Sequence, residues 1–245
     1  MQHLQYVGNT LYFEQIPLEE SGKEFGTPLY VYSESALTIH FQQIDKAFRK
    51  HPHLICYALK ANSNPTIIRK LAALGVGADV VSIGELQLAL QAGILPEKIV
   101  FAGVGKRDDE ILAALDAGIK GFNVESEMEL KVIDALAGRM GKMAPVSLRV
   151  NPNMDIHGHP YITTGRHHDK CGLSIDTVVK LSKNFAQFSN CELIGLHAHL
   201  GSQISEIAPY AVLGRKMRNL ANDVRSHGHA LQYLDIGGGL GVDYM

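Results

Sequence analysis

No run of 18 apolar residues occurs in this 245-residue chain, so no membrane-spanning helix is expected. The stretch from Met1 to Leu11 lacks the basic start and apolar middle of a secretion signal. Cysteine is scarce. Cys56, Cys171 and Cys191 lie far apart, and an odd count argues against a disulfide framework. Such usage fits reduced core thiols and a cytoplasmic setting. Long runs of one charge sign are missing too, and the formal net charge is −2, which argues against nucleic acid and membrane surfaces as partners. No internal repeat and no low-complexity tract interrupts the chain.

What is present is a rhythm. Apolar residues make up 46% of the chain, enough for one large core. Residues 1 to 28 read as polar and irregular, with turn signals at Gly8-Asn9 and Gly26-Thr27-Pro28, and Leu29 to Tyr32 reads as a short strand. Ser33 or Ser35 can cap a helix running to about Lys50. Apolar runs then recur at 54–58, 78–82, 98–103, 121–124, 146–151, 192–199 and 232–236. Helical patterns separate them at 65–74, 84–92, 107–117, 126–138, 174–186 and 206–227. Strands without polar alternation are covered on both faces, as in parallel α/β sheets. A Rossmann sheet requires a glycine fingerprint after its first strand, and here Lys60-Ala61-Asn62 takes that place. The pattern therefore predicts a TIM-type (β/α) barrel.

In such barrels chemistry sits where strands end. Those ends carry Lys60, Asp79 to Ser82, Gly103 to Lys106, Asn123 to Ser126, Arg149 to Asn151, His197 to Ser202 and Gly237 to Gly241. Lys60 has two open readings: a side chain that reaches back to solvent, or an amine that sheds its proton and attacks an aldehyde. Gly237-Gly238-Gly239 lacks dinucleotide spacing, but three glycines after the seventh strand can close backbone N–H groups around a phosphate. Gly103-Val104-Gly105-Lys106 fails as a Walker A loop, because Arg107 stands where Ser or Thr must bind magnesium. His157, His159, His167, His168 and Cys171 share one loop without a recognised ligand spacing, so no metal site is expected. His197 and His199 lie two apart on one strand, so one can pack while the other meets a ligand. A strand-end lysine, an imidazole and a phosphate-closing glycine run together fit pyridoxal 5'-phosphate.

At "YALKANSN" (57–64), "GADVVSIGEL" (77–86), "FAGVGKRDDEI" (101–111), "GLHAHLGSQ" (195–203) and "DIGGGLG" (235–241) the chain resembles the alanine-racemase-fold decarboxylases that use pyridoxal phosphate. "PLYVY" (28–32), "FNVES" (122–126) and "LRVNPN" (148–153) extend the resemblance along the chain. "HPYITTG" (159–165), followed by Lys170-Cys171-Gly172, points to the diaminopimelate branch, where Phe is usual in place of Cys171. The resemblance implies that Lys60 is the Schiff-base lysine and His199 the ring-stacking histidine. It implies that Ser202 and Gly237, Gly238 and Gly239 hold the phosphate, with Asp79, Glu85 and Arg149 as the surrounding polar shell.

It further implies decarboxylation of meso-2,6-diaminopimelate to L-lysine by a homodimer. The alternatives are ornithine, arginine or carboxynorspermidine as substrate, or a non-catalytic barrel that only binds the cofactor. A Tyr-Gly segment expected of alanine racemase is absent after Asn62. By the same resemblance, residues 1–33 belong to a β domain found in full-length members, and 34–245 form the barrel, cut after its seventh strand. Such a piece of a longer enzyme is expected to be inactive alone.

Overall fold

The computed structural model describes residues 3–154 and 171–242. Seven parallel strands form one sheet: β4 (Cys56–Ala58), β5 (Gly77–Val80), β6 (Ile99–Phe101), β7 (Gly121–Val124), β8 (Ala144–Arg149), β9 (Cys191–His197) and β10 (Tyr233–Asp235). Their spatial order is β4-β5-β6-β7-β8-β9-β10, the same as their order along the chain. An unbroken order has no reversal point, which separates this barrel-type sheet from a doubly wound one. Five strands are shorter than their apolar runs, while β7 coincides with its run and β8 keeps the length of its run but begins two residues earlier. At 78–82 and 98–103, for example, the last residues already belong to the strand-end loops.

The helices between strands are α3 (Pro65–Ala73), α4 (Ile83–Gln91), α5 (Asp108–Ala117), α6 (Glu127–Met140), α7 (Ile175–Lys183) and α8 (Ala208–Ser226). Pro65 sits in the first turn of α3, where its missing N–H costs nothing, and Asn64 accepts from the Thr66 N–H. Ser82 and Ser126 cap α4 and α6, each accepting from the N–H of a glutamate three residues on. Those glutamates reach back. Glu85 accepts from the Val81 N–H at 2.8 Å, and Glu129 from the Glu125 N–H at 2.7 Å. Two strand-to-helix junctions are thereby fixed by one device. Phe101, Phe122, Ile99, Leu148 and Leu196 from the sheet pack with Ile68, Leu86, Ile111, Leu130 and Ile133 from the helices in a single core.

The amino-terminal expectations need correcting. Residues 4–17 are not irregular but form a three-stranded antiparallel sheet: β1 (Leu4–Val7), β2 (Thr10–Phe13) and β3 (Ile16–Pro17), followed by α1 (Leu18–Phe25). Gly8-Asn9 is the two-residue loop of a hairpin in which Val7 pairs with Thr10. Leu29 to Tyr32, expected as a strand, belongs to none. Its β-forming residues find no ladder among the described residues, and Tyr30 is 84% exposed. Of the two candidate caps, Ser33 takes the role for α2 (Glu34–Phe48), accepting from the Ala36 N–H. Ser35 instead donates to Glu14 at 2.6 Å and ties the hairpin sheet to that helix end.

Candidate functional site

Register places one row of polar side chains across four strands. Asp235 on β10 lies beside His197 on β9, which lies beside Arg149 on β8. One residue beyond β7, Glu125 continues the row and accepts a hydrogen bond from the Arg149 guanidinium. The neighbouring row, Leu234, Leu196, Leu148 and Val124, points the opposite way by strand alternation, and Leu196, Leu148 and Val124 belong to the apolar core. The polar row therefore faces away from the helices.

Burial decides the protonation of this face. His197 is buried, and loss of solvent holds its imidazole below the ordinary range despite Asp235, whose Oδ2 lies 4.0 Å from Nε2. His199, past the end of β9, is lowered to about 4 by burial, with further lowering from Arg149, His197 and Lys60. Both rings are neutral near pH 7. Asp79 ends β5 with its carboxyl raised to about 6, chiefly by burial; Lys60 opposes that rise, and Asp235 and Glu85 add to it. Its Oδ1 is buried without a hydrogen-bond partner among the described residues. A carboxyl poised to hold or release a proton thus faces a strand-end amine.

Lys60 lies just past β4 in a 3-10 turn, Leu59–Ala61, and is exposed. Its charge acts on both Asp79 and His199, so the three share one end of the sheet. Lys106 is different. Its side chain is 1% exposed, and its ammonium donates to the Gly103 and Asn123 carbonyls and to Glu129, at 2.8, 2.8 and 2.6 Å. That lysine is a structural tie and unavailable as a nucleophile.

The glycine run follows β10 directly. Gly237 and Gly239 have φ of 70° and 87°, and a Cβ would fall 2.7 Å from the Ala198 carbonyl oxygen and 1.8 Å from that of Gly201. Both glycines are demanded by the backbone itself. Gly238 is not: its φ is not left-handed, and a Cβ there would meet nothing within 4 Å. Open space over Gly238, beside the histidine loop, is what a bound group could fill. The Gly238 N–H points toward His199 Nδ1 at a long 3.4 Å, and Ser202, in the loop after His199, is exposed.

The structure thus brings Lys60, Asp79, Arg149, His199 and the run Gly237 to Gly239 to one end of the sheet. Glu85 commits one oxygen to the Val81 N–H, so it is a helix cap as well as a neighbour of Asp79. The segment 159–165, Lys170 and the four loop histidines lie outside the described residues. Sequence reasoning missed Asp235 and the joining of Glu125 to Arg149. Two-residue alternation from His197 and Arg149 across paired strands was the available signal, but it needs the register.

The pyridoxal binding domain of the pyridoxal-dependent decarboxylases matches residues 34–245. The diaminopimelate decarboxylase of Haemophilus influenzae is 45% identical over 244 residues, covering 100% of this chain and 59% of that protein. That of Aquifex aeolicus is 46% identical, covering 99% of this chain and 57% of that protein. The crystal structure of diaminopimelate decarboxylase from Helicobacter pylori complexed with L-lysine is 42% identical with a TM-score of 0.90, covering 93% of this chain and 58% of that one. This chain therefore spans 57–59% of the length of these relatives.

Proposed function

The chain belongs to the pyridoxal-dependent decarboxylases, and from that membership we propose that it binds pyridoxal 5'-phosphate and serves in the decarboxylation of meso-2,6-diaminopimelate to L-lysine and carbon dioxide. The observation that carries this reading is the meeting of Lys60, Asp79 and His199 beside a glycine run whose middle residue faces open space. Those residues fit the group. When bound, pyridoxal phosphate supplies an aldehyde for amine capture and a ring that draws electrons from the bond being broken.

The chain's own residues do the rest. Lys60 Nζ, carried by the turn after β4, would be the amine that takes up the cofactor's aldehyde. Asp79, with its carboxyl raised to about 6, accepts or returns a proton beside Lys60. His199, neutral at working pH, would offer the cofactor a flat ring without adding a positive charge. Ser202 and the part of the glycine run not committed within the protein would hold the phosphate. Arg149, held by Glu125, keeps a fixed positive charge that lowers His199 and opposes the rise of Asp79.

The same reading places the protein in the cytoplasm as a homodimer. Cys56 and Cys191, with thiols pushed up to about 12 by burial, suit a reducing compartment. Among the described residues no helix is long and apolar enough to cross a membrane. The test is carbon dioxide release from diaminopimelate, ornithine and arginine in the presence of the cofactor. Preference for diaminopimelate supports the reading. Preference for either other substrate replaces it with a sister decarboxylase, and cofactor binding without turnover of any substrate, both by this chain and by one lengthened to the full span of its relatives, leaves a binding protein.

A further inference from the structure

The amides of the glycine run are not equivalent, and we propose that Asp235 and Tyr210 form a two-point clasp that turns the Gly239 N–H, rather than that of Gly237, toward the phosphate. The proposal rests on the cofactor reading above. Gly237 donates its N–H to Asp235 Oδ1 at 2.8 Å, so that amide is committed inside the protein. The Tyr210 hydroxyl, from the first turn of α8, donates to the Gly238 carbonyl at 2.8 Å. In a trans peptide the carbonyl and the following N–H point in opposite directions, so fixing the Gly238 oxygen on Tyr210 sends the Gly239 N–H to the other side. Beyond it, the Ile204 N–H donates to the Gly239 carbonyl and the Gly241 N–H to the Ile204 carbonyl, both at 2.9 Å. The run is held from three directions.

The clasp also accounts for an electrostatic oddity. A carboxylate two residues before a phosphate loop repels the anion that the loop is meant to hold. Asp235 is retained there because its Oδ1 closes the turn onto Gly237, a short-range hydrogen bond that aspartate makes well. Its Oδ2 is turned away from the loop, with the Asn123 amide at 3.4 Å and the His197 ring at 4.0 Å.

The test compares pyridoxal phosphate with pyridoxal, which lacks the phosphate, in titrations of wild type, Asp235→Ala, Asp235→Asn and Tyr210→Phe. Asp235→Ala should bind pyridoxal phosphate about tenfold or more weakly while its pyridoxal affinity stays within about twofold. Asp235→Asn keeps a carbonyl for the Gly237 N–H and should stay within about threefold of wild type for both compounds. Tyr210→Phe should lose about threefold to tenfold for the phosphorylated compound alone. Without cofactor, amide exchange at 237–239 should quicken in Asp235→Ala and Tyr210→Phe but not in Asp235→Asn. Equal losses for both compounds, Asp235→Asn as impaired as Asp235→Ala, or unchanged binding in Tyr210→Phe would overturn the clasp. A wild type that binds neither compound refutes the cofactor reading instead, and amide exchange still decides the clasp. Should Asp235→Ala fail to fold, the two conservative variants decide it.

Discussion

Asp79 and His199 titrate in opposite senses over the same pH range, and the pair is the most testable feature at the scale of single residues. Asp79 is raised to about 6, so its contribution to stability is complete below the ordinary carboxylate range and lost as pH rises through about 6. His199 is lowered to about 4, so its contribution is complete above the ordinary imidazole range and lost as pH falls through about 4. Together they nearly cancel between those values. Without cofactor, and with the buried His197 acting in the same sense as His199 in every variant, Asp79→Asn should lose stability more steeply than wild type on acidification from neutral pH toward 4, and His199→Gln less steeply. Urea unfolding at several pH values reads this directly, and parallel slopes in wild type and both variants would contradict it.

The two histidines should also separate by consequence. His197 is buried between Asp235 and Arg149, so His197→Ala should cost roughly 2 kcal/mol or more of stability through the cavity it leaves. His199→Ala should leave stability at neutral pH nearly intact and weaken cofactor binding by about threefold to tenfold, the worth of a stacking contact. Equal losses of cofactor affinity in the two variants would contradict the assignment of His199 as the ring partner.

At the scale of elements, the strand-to-helix junctions carry the stability of the site. Lys106, buried and bound to Glu129, joins the loop after β6 to the end of β7, while the other Glu129 oxygen holds the Glu125 N–H. Glu125 in turn holds Arg149. Lys106→Met should destabilise the fold by about 3–5 kcal/mol, because it leaves a buried carboxylate without its partner. Urea unfolding measures it, and a loss under about 1 kcal/mol would show that the pair is not a structural tie.

Much at this scale was legible. Seven apolar runs became seven strands, the central ones buried on both faces and the edge strand β10 leaving Leu234 exposed, and the expected helix starts at 65, 84 and 126 fell within one residue of the observed ones. The hairpin at Leu4–Phe13 was missed although Gly8-Asn9 marked its turn, because its alternation is short and lies outside the repeating pattern. Leu29 to Tyr32 failed for the converse reason. Strand propensity without a partner ladder does not make a strand. The polar row Asp235-His197-Arg149-Glu125 was not legible, because strand register is a tertiary property.

At the scale of the whole molecule, an unbroken strand order sends every strand end to the same side, so residues up to about 180 positions apart build one site. That topology, and not any single motif, gives Lys60 its neighbours from β5 and from the loop after β9, and sets that loop beside the glycine run after β10. The central claim is that Lys60 is the residue that carries the cofactor. The most direct measurement is to load the protein with pyridoxal phosphate, reduce it with borohydride and locate the attached group by peptide mass spectrometry. The account predicts a single adduct on Lys60 that disappears in Lys60→Ala while the fold is kept. An adduct on Lys106, on Lys170 or on no single lysine would contradict it.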